Sequence, residues 1–172
     1  MGSTHGMKKL HSTLDGMKKL IRAEVKVRVK ALPPATIDAA SDLLMERLNS
    51  NKFYQESGAI SCYLSMKQEV ATASIIKECF AAKKRVFIPK VMGKKSEEMF
   101  MFELESNKQI SSFPMNNWGI PEPPIELLAS ATDGLYGGVI DVILVPGVAF
   151  SRDCQRVGHG KGYYGRYIVG IQ

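Results

Sequence analysis

The sequence predicts an α/β fold with a mostly parallel sheet in a single domain. Three observations carry this expectation. Segments of helical period alternate with short apolar runs rich in β-branched and aromatic residues, the order that feeds parallel strands. The run VIDVILVP (139–146) is apolar at seven of its eight positions, as a central strand covered on both faces should be. The chain has 172 residues, 45% of them hydrophobic, enough for one core and too few for two comfortable ones.

The opening MGSTHGMKKLHSTLDG has no apolar periodicity, so residues 1–14 are set apart as a flexible segment and the domain is expected over 15–172. From Asp15 to Leu32 the residues Met17, Ile21, Val25, Val29 and Leu32 fall on one helical stripe, which Pro33 and Pro34 stop. A second helix is expected over Thr36–Leu48, with Ile37, Leu44 and Leu48 inward. AISCYLS (59–65) reads as a buried strand, TASIIKECFAAKK (72–84) as a helix and RVFIPKV (85–91) as a strand. MFMFEL (99–104) is expected to be extended. Prolines deny the following segment, 106–130, a regular ladder, and its length suits a lid or the wall of a site. VIDVILVP closes the pattern as the expected central parallel strand.

A net charge of +6, from 23 Lys and Arg against 17 Asp and Glu, favours an anionic partner: a nucleotide, a polyanionic small molecule, nucleic acid or a membrane surface. Cys62, Cys79 and Cys154 are odd in number and lack metal-ligand spacing. No apolar run resembles a signal peptide or a membrane span, so a reducing intracellular compartment is expected. His5 and His11 have no partner at metal spacing, and packing or exposure accounts for Cys154.

Residues 156–167, RVGHGKGYYGRY, concentrate glycine and positive charge beyond the carboxyl end of the expected central strand, where open parallel sheets bind ligands. Gly158, Gly160 and Gly162 remove every second side chain, which lets backbone N–H groups approach an anion. Arg156, His159 and Lys161 add donors around them. GKGYYG formally matches G-x-G-x-x-G but lies too near the end to open a dinucleotide-binding unit, and Walker A spacing is absent. A basic loop with a core-packed tyrosine pair is the plain alternative.

On the first helix Lys18 and Arg22 stand four residues apart, an unfavourable pair unless an anion lies between them. Snorkelling over the core is the plain alternative for them, and for Arg28. YLSMKQEVATASII (63–76) places Ser65, Glu69 and Thr72 in a strand-to-helix turn, again at the ligand-bearing edge. Glu69 there suits the hydrogen-bond donors of a heterocycle, or faces a helix dipole as a first-turn carboxylate.

Together these stretches resemble the 5-formyltetrahydrofolate cyclo-ligase family, also called 5,10-methenyltetrahydrofolate synthetase. The resemblance rests on KKLIR, YLSMKQEVAT, VFIPKV, NWGIPEPP and PGVAFSRDCQRVGHGKGYYG, in order, over about residues 17–165. It implies a three-layer α/β/α sandwich and ATP-dependent, Mg2+-assisted cyclisation of 5-formyltetrahydrofolate to 5,10-methenyltetrahydrofolate through a phosphorylated formyl group, releasing ADP and phosphate. By the family pattern Lys18, Arg22, Arg156, Gly158, His159, Gly160, Lys161, Gly162 and Tyr164 hold ATP, with Arg156 and Lys161 serving catalysis. Met66, Glu69, Phe87, Trp118 and Tyr163 face the folate. His159 acts as a loop donor, since this chemistry needs no strong base.

The same resemblance implies a monomer acting on a small, often polyglutamated folate, with no nucleic acid and no membrane, in the cytoplasm or alternatively the mitochondrion. Two substitutions and one length difference depart from the pattern. Gly165 stands where the family has the aspartate of GYYD, so no metal ligand is assigned and magnesium placement is expected to weaken. Ser151 replaces the aspartate of AFD. The family pattern also continues about 30 residues beyond RYIVGIQ. These departures motivate an alternative, a folate- and ATP-binding relative with impaired turnover. An alternative of another class is a basic nucleic-acid-binding domain, although no interleaved aromatic stripe or nucleic-acid motif supports it.

Overall fold

Helix α1 (Ser3–Lys30) begins well before the expected start at Asp15. Met, Lys and Leu are good helix formers, and the two glycines within it, Gly6 and Gly16, cost only about 1 kcal/mol each relative to alanine. The helix ends where the two prolines predict. The amides of Ala31 and Leu32 close tight turns on Arg28 O and Val29 O, both at 3.1 Å. Pro33 is extended, and Pro34 starts α2 (Pro34–Asn49) at a position that needs no N–H donor. A short helix absent from the sequence expectation, α3 (Lys52–Glu56), follows; Asn51 caps it by accepting Tyr54 N at 3.1 Å.

This computed structural model describes residues 3–93, 99–134, 136 and 138–169, without the side chains of 3–12, 166, 167 and 169. His5 and His11 therefore lie outside the described side chains. The contacts form two compact units: one joins the segment ending at Leu32 to Gly147–Lys161, and the other joins Pro33–Pro146 to the segment from Gly162 onward.

The second unit holds the main sheet, in the order β3 (Met99–Leu104), β2 (Arg85–Val91), β1 (Ala59–Ser61), β4 (Val142–Ile143). β1 runs parallel to both neighbours, and β3 is antiparallel to β2. The mostly parallel α/β expectation holds, and β2 and β3 have their expected bounds. α4 (Ala73–Ala81) connects β1 to β2 as a crossover helix.

The strand expected at the centre is instead at the edge of the described sheet. Only Val142 and Ile143 of the 139–146 run form the strand, both half-buried, although Asp141 N and Leu144 N also donate to Ala59 O and Ser61 O at 2.9 and 2.8 Å. Asp141 ties the start of the run to β1: its Oδ2 accepts the amides of Gly58 and Ala59 at 2.8 and 2.9 Å, clamping the entry to β1. Pro146 ends the run without a donor. The central place goes to β1, buried at all three residues.

Period-two alternation sends side chains to opposite faces of this sheet. Ile60, Cys62, Val86, Ile88, Phe102 and Leu104 share one core with Ile75, Ile76 and Cys79 of α4 and with Leu44 and Leu48 of α2. Ala59, Phe87, Met99 and Met101 form the other, with Val139, Ile140, Tyr163 and Tyr164. The tyrosines belong to α6 (Tyr163–Val169). Helices thus cover both faces of the sheet, as three layers require. The irregular 106–130 segment contains a 3-10 turn, Asn107–Ser112, and a one-turn helix, α5 (Ile125–Leu128).

In the first unit α1 packs against β5 (Ala149–Phe150), which pairs antiparallel with β6 (Arg156–Val157). Among the described residues no helix is long and apolar enough to cross a membrane.

Candidate functional site

The first unit brings together the two basic segments from opposite ends of the sequence. Arg22, half-buried on α1, donates from Nε to the carbonyl oxygen of Gly158 at 2.8 Å, across 136 positions. Only one of the five guanidinium N–H groups serves that bond; the fork geometry of the others suits phosphate oxygens. Lys18 lies one helical turn before Arg22 and is exposed.

Two glycines of the loop are required for different reasons. A Cβ on Gly158 would lie 2.9 Å from Nη2 of Arg156, so a side chain there would push that guanidinium aside. Gly160 has φ +104°, a backbone region L-residues rarely adopt, and its open side faces the Arg22 guanidinium at 3.4 Å. The result is a bare, curved backbone between two arginines, which fits an anionic phosphate chain. His159 and Lys161 are exposed beside it.

The β5–β6 hairpin positions this loop, and the sequence reading missed it. Ser151 N donates to Gln155 O at 2.9 Å, and Ser151 Oγ accepts Gln155 N at 3.0 Å. Serine and aspartate can both accept an amide within a turn, so Ser151 supplies an acceptor where the related pattern has a carboxylate. The polar break SRDCQ between AF and RV was the available signal. Cys154, at φ +61°, completes the turn and is exposed.

In the second unit Met66 and Glu69 are locked together ahead of α4. Met66 N donates to Glu69 Oε2 at 2.9 Å, and Glu69 N donates to Met66 O at 3.0 Å. Glu69 thus precedes the helix and is not a first-turn carboxylate. Tyr63 fixes the same turn by donating to Val70 O at 2.9 Å. Burial, helped by the Glu69 charge, pushes the Tyr63 phenol up to about 12, so it stays a donor across neutral pH. Thr72 is buried and its hydroxyl bonds Tyr63 O.

Of the remaining expected folate residues, Phe87 and Tyr163 share one core and Trp118 stands on an exposed hairpin. Phe87 is 1% exposed, and its ring fills the space beside Gly134. It is a core residue: its β2 position points it into the second core, not onto an open wall. Tyr163 and Tyr164 pack on that same core, half-buried, and Tyr163 reaches Gly93 O at 3.4 Å. Gly162, with φ +78°, leads into their helix. Trp118 is 66% exposed at the tip of a hairpin over 114–122, with its amide held by Asn116 Oδ1 at 2.9 Å. Gly165 is exposed, and an added Cβ would meet nothing within 4 Å.

Among the described residues no three His, Cys, Asp or Glu side chains form a metal-holding group. Gly165 offers no ligand either. The described residues do not build a magnesium site by themselves; magnesium bound with a nucleotide is held largely by phosphate oxygens and water.

Residues 15–172 match the model of the 5-formyltetrahydrofolate cyclo-ligase family. A 5-formyltetrahydrofolate cyclo-ligase of Mus musculus is 37% identical over 156 residues, covering 91% of this chain and 75% of that protein. A probable 5-formyltetrahydrofolate cyclo-ligase of Caenorhabditis elegans is 33% identical, with the same coverages. The solved structure of Aquifex aeolicus 5,10-methenyltetrahydrofolate synthetase superposes with TM-score 0.69 at 25% identity, over 89% of this chain and 72% of that one. The chain, with its α/β sheet and its arginine-flanked glycine loop, belongs to the 5-formyltetrahydrofolate cyclo-ligase family.

Proposed function

We propose that this protein cyclises 5-formyltetrahydrofolate to 5,10-methenyltetrahydrofolate at the expense of ATP. The observation that supports this reading best is the Arg22 to Gly158 hydrogen bond, which brings two basic family motifs together in an arrangement suited to phosphate. In the proposed reaction the formyl oxygen takes the γ-phosphoryl group, N10 attacks the formyl carbon and loses its proton, and the oxygen leaves within phosphate. Such transfer depends on positioned positive charge more than on covalent catalysis.

Arg22, Arg156 and the Gly158–Gly162 backbone would hold the phosphates, with Lys18, His159 and Lys161 at their margin. Arg156 and Lys161 would offset charge developing on the transferred group. Met66, Glu69, Trp118 and Tyr163 would meet the folate, with Glu69 at the polar pterin edge and Phe87 acting through core packing. A polyglutamated folate would suit the net charge of +6. The cytoplasm, or the mitochondrion as for a related plant protein named as mitochondrial, is the proposed location, and a monomer the proposed form.

A second reading, binding without turnover, is favoured by Gly165, which brings no carboxylate where the family pattern has one and has open space around an added Cβ among the described residues. One assay separates the two. Methenyl product is followed by its near-ultraviolet absorbance with substrate and MgATP, for the unmodified chain, Gly165→Asp and Arg22→Ala. An ATP-dependent rise, lost in Arg22→Ala, supports turnover; a rise only in Gly165→Asp supports the second reading. Silence from all, without binding of either ligand, removes both.

A further inference from the structure

The hairpin that carries Trp118 is tied to the sheet by a polar relay. Lys90, near the end of β2, places Nζ 2.5 Å from Glu122 Oε2. The two side chains are 17% and 22% exposed, well shielded from water, where a lost partner is costly. Glu122 Oε1 in turn accepts from Asn116 Nδ2 at 2.5 Å. Asn116 Oδ1 then accepts the amides of Trp118 and Ile120, at 2.9 and 3.0 Å.

Backbone bonds close the same loop: Asn116 N to Ile120 O at 2.9 Å, Gly119 N to Asn116 O at 3.0 Å, and Glu122 N to Pro114 O at 2.9 Å. Yet the indole that this framework presents is 66% exposed. Burial of the indole therefore does not hold the tip; these backbone bonds and the polar relay do. Ordering the backbone turn that carries a large aromatic side chain, before its ligand arrives, reduces the entropy lost on binding.

We propose that Lys90, Glu122 and Asn116 are positioning residues that hold the 114–122 hairpin so that Trp118 is preordered for the folate ring system. This rests on the reading of Trp118 as part of the folate wall. Asn116 is the critical link among the described residues, because its side chain connects the Lys90–Glu122 ion pair to two bonds on the Trp118 turn. Loss of the relay loosens the tip and weakens folate binding while leaving ATP binding unchanged.

Trp118 is the single tryptophan of the chain, so its fluorescence reports the tip directly. The unmodified chain, Asn116→Ala, Lys90→Met and Lys90→Arg are compared by fluorescence anisotropy without ligand, and by quenching on titration with 5-formyltetrahydrofolate. ATP binding and thermal midpoint are measured alongside. Asn116→Ala and Lys90→Met are expected to lower the anisotropy and to raise the folate Kd about two- to twelvefold, with ATP Kd unchanged. Lys90→Arg is expected to restore both signals.

Unchanged anisotropy and folate Kd in Asn116→Ala, even with a lower thermal midpoint, overturn the positioning role alone. If folate fails to quench Trp118 in the unmodified chain, the wall reading falls and the proposal falls with it. Equal weakening of folate and ATP binding would mark a general loss of structure, and would overturn the proposal while leaving the wall reading intact.

Discussion

Replacing Gly160 and Gly165 by alanine, one at a time, should move the protein in opposite directions although the two glycines are five residues apart. At Gly160 the backbone has φ +104°, and an added Cβ would lie 3.4 Å from Arg22 Cζ, an ordinary contact. The penalty is therefore backbone strain and not collision, about 1–3 kcal/mol. If the loop keeps its conformation, that strain lowers folding stability; if it relaxes, ATP binding must restore the strained form and loses the same amount. At about 1.4 kcal/mol per tenfold, the second case raises the ATP Kd roughly five- to 150-fold. Gly165 has open space around it and lies in α6. Alanine there removes the helix penalty of glycine and stabilises by up to about 1 kcal/mol. Denaturant unfolding with and without ATP measures both quantities, since ligand stabilisation follows RT ln(1 + [L]/Kd). A Gly160→Ala protein whose combined loss of stability and ATP binding is under about 0.5 kcal/mol would refute the strain argument.

Lys84→Met should lower stability by about 1.5–3 kcal/mol, read as a shifted urea midpoint with unchanged slope, because Lys84 Nζ bonds the carbonyls of Tyr54 at 2.9 Å, Gln55 at 2.9 Å and Ser57 at 2.5 Å. Ser151→Ala should weaken the β5–β6 hairpin by roughly 0.5–1.5 kcal/mol, and Ser151→Asp should not, in a comparison of ATP affinity and thermal midpoint. The hydrogen bonds from Arg85 hold the Glu103 carboxyl below its ordinary range. Their stabilisation is thus present above the ordinary carboxylate pKa and lost as pH falls through the depressed one. Both side chains are more than a third exposed, which limits the effect to under about 1 kcal/mol. Thermal midpoints of the unmodified chain and Glu103→Gln should differ near neutral pH and converge in acid; a constant difference would assign the effect to packing.

Where local pattern and environment agreed, the sequence was a good guide to the elements. RVFIPKV and MFMFEL became strands with the expected bounds because alternation gave each face its own core, Val86 and Ile88 against Phe87. VIDVILVP misled because hydrophobicity reports the tolerance of a segment for burial, not its place in a sheet. Asp141 spends its carboxylate on the entrance to β1, and only two residues pair. The 3-10 turn and the short helices lie below the length at which periodicity gives a signal.

The same distinction explains which parts of the site were legible. Lys18 and Arg22 stood out because cations four apart on one helix call for an anion, and the glycine loop stood out because it gave up side chains beside positive charge. Their convergence at Arg22 Nε and Gly158 O joins residues 136 positions apart, a contact that no window along the chain contains. Lys90, Glu122 and Asn116 were illegible for the opposite reason. Each is an ordinary polar residue in its own segment, and meaning arises only when β2 brings Lys90 to Glu122 and the hairpin turns Asn116 back on the Trp118 amide. Residues that face a ligand leave a local chemical imbalance in the sequence, whereas residues that aim them are balanced by their partners and become visible only in three dimensions.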